Sequence, residues 1–128
     1  MKGEQFIAEV KNLAELDSNE DAQKTVRATL ETLRERLADN EPADLAAQLP
    51  QEIAPFVEGA GGRETFSVQE FYERVGQKEG IESEEAVKHA RAVATVLQTA
   101  VTGGALEDVR SQLGNDYKDL FGQTGASA

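Results

Sequence analysis

The chain has 128 residues, 39% hydrophobic and 29% charged, with 24 acidic against 13 basic side chains and a formal net charge of −11. That length supports one core rather than two, the apolar content is too high for a disordered chain, and so acidic a surface repels phosphate backbones and anionic lipid. Absence of cysteine excludes disulfides, thiolate nucleophiles and cysteine metal sites.

Apolar spacing is helical almost throughout. Phe6, Val10 and Leu13 fall at i, i+4, i+7 and predict one face of a first helix. Ser18 is placed to cap a second, with Glu20 and Asp21 in its first turn, where negative charge suits the helix dipole. The stripe of this helix is Ala22, Val26, Leu30, Leu33 and Leu37, and Asp39-Asn40 ends it by competing for backbone hydrogen bonds. Pro42 suits the opening of a short helix through Leu45 and Leu49. A further turn from Pro50 carries Ile53, Phe56 and Val57, its length limited by Pro55.

Gly59-Ala60-Gly61-Gly62 then reads as a flexible linker, residues 59–65. Ser67-Val68-Gln69-Glu70 has the form of a capping box before Phe71, Tyr72 and Val75, and Gly80 stops that helix. Ser83 is expected to cap the next, with Ala86, Ala90, Val93, Ala94, Leu97 and Val101 as its stripe. Gly103-Gly104 reads as a break. Leu106, Val109 and Leu113 follow on a short helix, then Tyr117, Leu120 and Phe121 on a last turn before a flexible tail, 122–128.

The second half of this series repeats the first about sixty-four residues later. Lys24 aligns with Lys88, Arg27 with Arg91, Leu33 with Leu97, Asp44 with Asp108 and Gln48 with Gln112. Upstream the register shifts by one, so that Phe6 meets Phe71, Val10 meets Val75 and Leu16 meets Ile81. The expected fold class is all-α: two tandem helical repeats of about four helices each, two long and two short, fused into one bundle. Repeat 1 spans 2–58 and repeat 2 spans 66–121, giving one domain over 1–121. The long helices are expected to be central, because alanines on the second let the leucines of the first approach closely.

Chemistry-bearing motifs are few. His89, the single histidine, has no metal-ligand or dyad spacing around it and reads as a helix-surface residue; its aligned partner is Thr25. Asp17, Asn19 and Asp21 begin like a calcium loop, but Ala22 and Ala28 stand where that loop needs glycine and glutamate, leaving a helix cap. The glycine cluster lacks the lysine and hydroxyl of a phosphate loop. The aligned pairs carry more: Arg27 with Asp44, and Arg91 with Asp108, are expected to bridge within each repeat and pin the short helix on the long one, with Gln48 and Gln112 bonding to loop backbone.

The helix Ala28-Thr29-Leu30-Glu31-Thr32-Leu33-Arg34-Glu35-Arg36-Leu37, followed by Asp44-Leu45-Ala46-Ala47-Gln48-Leu49-Pro50, resembles a bacterial family catalogued as domain of unknown function 2267. Phe71-Tyr72-Glu73-Arg74-Val75 is similar to a second element of that family. The second copy departs from the first at Thr95, Val96 and Gly114, which replace Glu31, Thr32 and Pro50. The resemblance implies an all-helical bacterial protein and carries over no catalytic residue.

The functional expectation is a non-enzymatic helical module, without cofactor or metal, that binds another protein or itself. The alternative is a small ligand or anion held between the repeats by Arg27 and Arg91, with Lys24 and Lys88. Neither nucleic acid nor membrane is an expected partner: the charge is adverse, and no stretch approaches the roughly twenty apolar residues of a spanning helix. Residues 1–9 lack the continuous apolar run of a signal peptide, so a cytoplasmic location is expected.

Overall fold

The computed structural model describes residues 1–121; the tail expected at 122–128 lies outside them. Its first half runs α1 (Gly3–Leu13), α2 (Asn19–Arg36), α3 (Glu41–Ala46) and a 3-10 turn (Ala54–Phe56). Its second runs α4 (Val68–Glu79), α5 (Ser83–Ala100), α6 (Gly103–Ser111), a 3-10 turn (Asn115–Tyr117) and α7 (Lys118–Phe121). Every regular element among the described residues is helical, as the apolar spacing requires. The order of long and short elements recurs, which is compatible with the two-repeat reading.

The long helices α2 and α5 pack on one another. Each half's leading helix also crosses to the other half, α1 lying on both α2 and α5, and α4 on both α5 and α2. Apolar surface is therefore buried in one continuous core that includes Phe6, Leu30, Leu37, Phe71, Val93 and Leu97. The predicted stripes of both long helices are buried throughout. Leu13 is the exception: it is 50% exposed, while Ile7 and Ala14 turn inward in its place. The chain turns away at Ala14–Glu15, so the last predicted apolar position of α1 overshoots its contact face.

Ser18 and Ser67 cap α2 and α4 as expected, each hydroxyl accepting an N–H three residues on, from Asp21 and Glu70 at 3.1 Å. Ser83 does not cap α5; it is the first helical residue, and Glu82 stands at the N-cap without a side-chain bond. Gly103 and Gly104 are no break either, because Thr102 caps α6 and both glycines lie in its first turn.

The linker is pinned, not loose. The N–H groups of Gly61, Gly62, Arg63 and Glu64 donate to the carbonyls of Asp39, Arg34, Leu37 and Glu35. A Cβ on Gly61 would stand 2.2 Å from the Leu37 oxygen, so these glycines are needed for close approach to the end of α2 rather than for freedom.

At one end of the bundle α3 meets α6, and the two conserved-spacing glutamines act across it. Gln48 Oε1 accepts the Thr102 N–H at 2.9 Å, and Gln112 Oε1 accepts that of Ala38, also at 2.9 Å. Both donors and both acceptors lie 64 residues apart. The expected bonding of these side chains to loop backbone is met, with each reaching into the opposite half.

Candidate functional site

The four side chains singled out from the sequence do not form the expected pairs. Arg27 Nε donates to Glu31 Oε2 at 3.1 Å, one turn along α2, and its guanidinium lies over the Phe56 ring. Arg91 bonds Asp119 through Nη2 at 2.6 Å and through Nε to its carbonyl at 3.1 Å. Asp44 and Asp108 sit instead where α3 faces α6, close enough to act on Glu41. Burial, and after it the Asp108 and Asp44 charges, pushes the Glu41 carboxyl above its ordinary value. The short helices pack on each other across the halves rather than back on their own long helix, which takes the aspartates away from the arginines.

The alternative of one anion cavity requires Lys24, Arg27, Lys88 and Arg91 to converge. Lys24 and Arg27 border one depression beside Phe56, whereas Lys88 and Arg91 border another beside Leu13. Lys88 is tied to Glu15. Both arginines thus have carboxylate partners, and the four cations flank two separate hollows.

A different group is buried at the crossing of α2, α4 and α5. Thr25 Oγ1 donates to Glu79 Oε1 at 2.8 Å, and His89 Nδ1 lies 3.0 Å from the same oxygen and 3.3 Å from the threonine hydroxyl. The three residues are 0%, 7% and 5% exposed in the order Thr25, Glu79, His89. His89 is therefore a core residue, not the surface one its local sequence suggested. Glu79 Oε2 is buried with no hydrogen-bond partner among the described residues. Buried polar atoms of this kind are uncommon, because each retains most of its desolvation penalty.

Local sequence explains the placement. Gly80 closes α4 in the left-handed region at φ 74°, and its N–H and that of Ile81 both return to the Gly76 carbonyl. This tight stop leaves Glu79 on the last helical turn, under the chain that leads into α5. Gly76 is held there by contact: a Cβ would meet the Ile81 oxygen at 2.9 Å. His89 enters the core because Ala86, His89, Val93 and Leu97 share one face of α5 by three- and four-residue steps.

Arg74 secures α4 from its outer side. It bonds Glu35, Glu64 and Glu70 at 2.7–3.0 Å and lies 3.9 Å above the Phe66 ring. Glu70 is used here, so the capping box is formed only by its Ser67 half. At the α7 side, the Tyr72 hydroxyl donates to Asp119 at 2.6 Å. Burial and then this carboxylate push the Tyr72 hydroxyl up, so it remains a donor. The Tyr72 bond in turn holds Asp119 below the usual carboxylate range, with Arg91 adding to it.

Glu79 and His89 line a cleft of about 270 Å³ whose sides carry Leu16 and Ile81. Glu15, Asp17, Asp21 and Glu85 add four further carboxylates, against the single cation Lys24. Glu15 adopts φ 57°, the left-handed position that Gly80 holds in the other half, and its ion pair with Lys88 lowers its carboxyl from the ordinary value.

The chemistry available is recognition more than reaction. A nucleophilic triad needs hydroxyl and carboxylate on opposite ring nitrogens; here both face Nδ1. Among the described residues no group of three or more His, Asp or Glu side chains is arranged to hold a metal ion, and no helix is long and apolar enough to cross a membrane. Neither His89 nor Asp17–Asp21 has ligand or dyad spacing in the sequence, and Glu79, which completes the cleft, carries no motif. The signal that was present is the alignment of His89 with Thr25, a position on the packing face of α2.

Compared with known proteins, residues 3–120 match a family model described as "Uncharacterized conserved protein (DUF2267)". No curated protein matches the chain.

Proposed function

We propose, for a chain that belongs to the DUF2267 family of uncharacterized conserved proteins, that it is a non-enzymatic helical module binding a basic segment of another protein at the acidic cleft above Glu79 and His89. The setting we propose is the bacterial cytoplasm. One observation carries the reading: a cleft lined by Asp17, Asp21, Glu79 and Glu85, with Glu15 at Lys88, against Lys24 as its one lysine. Apolar docking has little support, since the large hydrophobic side chains exposed among the described residues are Met1 and Leu13 alone. Self-association through this face would bring together copies that each carry a net charge of −11.

Calorimetric titration with lysine-rich and glutamate-rich peptides of equal length, at low and at high salt, tests it. Binding of the basic peptide alone, weakened by salt as exposed charge pairs are screened, is expected. Failure of the basic peptide to bind at low salt removes the proposal.

A further inference from the structure

Between α6 and α7 lies a hollow of about 160 Å³, with the buried Leu113, Tyr117 and Phe121 on its floor and Arg110, Lys118 and Asn115 on its rim. The residues aligned with the two cations in the first half are Ala46 and Ala54, so the bundle itself needs no charge at either position. Both cations are exposed, and neither has a carboxylate partner among the described residues.

Acid is close at hand but does not meet them. Glu107 precedes Arg110 by one turn and lines the same hollow, yet the Arg110 guanidinium lies over the Phe121 ring, 6.0 Å from its centroid. Arg27 and Arg74, by contrast, each pair with a glutamate one turn away. Beside Lys118, Asp116 and Asp119 are engaged elsewhere. Asp116 Oδ2 accepts the Val68 N–H at 2.7 Å, and Asp119 holds Tyr72 and Arg91. A basic residue in the last turn of α6 suits the helix dipole by itself, but Lys118 opens α7, where a cation gains nothing from it. In a chain of net charge −11, two such cations beside an apolar floor match a carboxylate that carries an apolar stem. Inorganic phosphate would use the rim and leave the floor unmet. The volume is close to the roughly 150 Å³ that holds benzene in an engineered apolar cavity, so the stem is short. Beyond about 8 Å the acidic surface elsewhere is largely screened at physiological salt.

We infer that the hollow between α6 and α7 is a carboxylate site, with Arg110 and Lys118 binding the carboxylate, the Asn115 amide donating to it, and Leu113 and Phe121 against the stem. The ligand is a small organic acid or the acidic side chain of a partner. Glu107 is the opposing charge on the rim. The hollow shares no lining residue with the acidic cleft, and the inference does not rest on that cleft.

The test is NMR titration of the intact chain, following the Asn115 side-chain amide and the Arg110 Nε–H. The probes are butyrate, its uncharged counterpart butyramide, inorganic phosphate, and an end-capped peptide with a single glutamate. Butyrate should move both signals saturably and butyramide should not. Arg110→Gln, read at Asn115, should weaken butyrate by about tenfold or more, the scale of one charge-assisted hydrogen bond. Lys118→Gln should weaken it as well, whereas Glu107→Gln should tighten it. All three positions are exposed, and the opposite signs keep the test informative if one variant misfolds.

Displacement of butyrate by the glutamate peptide supports the site with a partner's side chain as ligand; binding of butyrate without displacement supports it with a free acid. Phosphate or butyramide binding as strongly as butyrate overturns the inference, because charge or apolar contact alone then accounts for the shifts. Absence of a saturable butyrate shift, or an unchanged affinity in Arg110→Gln, overturns it too.

Discussion

The two halves of the bundle share their helices but not what they bury at the turn between the first and second of them. In the first half that turn is served by Ala14, Glu15 and Thr25; in the second, by Glu79, Gly80 and His89. At the opposite end the halves agree, Gln48 and Gln112 each bonding a backbone N–H across the bundle. Agreement marks what the architecture requires. Disagreement marks a place where an apolar or small residue demonstrably suffices in one half and a buried ionisable pair stands in the other. That contrast is why the Glu79–His89 end, and not the glutamine end, is the candidate site.

The comparison can be broken most directly at the buried pair. His89→Ala leaves the Glu79 carboxylate in the core with Thr25 alone, and should cost about 3–5 kcal/mol in chemical denaturation. Installing the first half's residue types together, Glu79→Ala with His89→Thr, should recover most of that loss. A double variant as unstable as the single would mean that the pair is there for stability.

The connectors differ next. Gly61→Ala drives a Cβ into the Leu37 carbonyl and should cost about 3 kcal/mol, whereas Gly104→Ala, with open space around it in the first turn of α6, should be neutral or slightly stabilising. Equal thermal midpoints for the two variants would show that the pinned and helical connectors are interchangeable.

Alkaline titration separates the halves again, because Tyr117 aligns with Ile53. Burial pushes the Tyr117 hydroxyl up to about 12 while it donates to the Phe66 carbonyl at 2.8 Å. Its ordinary value is about 10, so between these limits the folded chain binds the proton that the unfolded chain has lost. Stability should therefore fall as pH rises from about 10 to about 12, by about 3 kcal/mol from Tyr117, and Tyr72, whose hydroxyl is also pushed up, adds to the slope. Tyr117→Phe should reduce this slope, leaving the share of Tyr72; an unchanged slope assigns the loss elsewhere.

The smallest effect expected is at the matched end. Gln112 is half-buried and also donates to Glu41 at 3.1 Å, whereas Gln48 is exposed. Gln112→Ala should cost about 1 kcal/mol and Gln48→Ala about half that. Equal costs in equilibrium unfolding would show that burial does not distinguish the two bonds.

Local pattern carried much of this structure. Period-3.6 spacing placed both long helices and nearly every core residue, since a helix can bury only what its own geometry aligns on one face. The caps at Ser18 and Ser67 and the stop at Gly80 were equally legible, because each is decided within four residues of itself. Two nearby signals compete at the other helix starts, where local rules do not decide: Ser83 stands beside Glu82, and Gly103-Gly104 beside the better cap Thr102.

The site was not legible in this way. Arg27 and Asp44 recur with Arg91 and Asp108 at equal separation, yet equal separation along a chain fixes no distance between side chains. Whether α3 turned back on α2 or across to α6 depended on the packing of the whole bundle. His89 read as exposed because its neighbours Lys88 and Arg91 are charged; α5 is covered by α1, α2, α4 and α7, so more of its circumference is buried than one stripe. By itself the sequence determined the helices, their caps, the faces they bury and the acidic balance, all of them local or additive properties of the chain. The tertiary structure alone decided that Thr25, Glu79 and His89 share one buried cluster. Their contact joins three helices across separations of up to 64 residues, and no local rule acts over that distance.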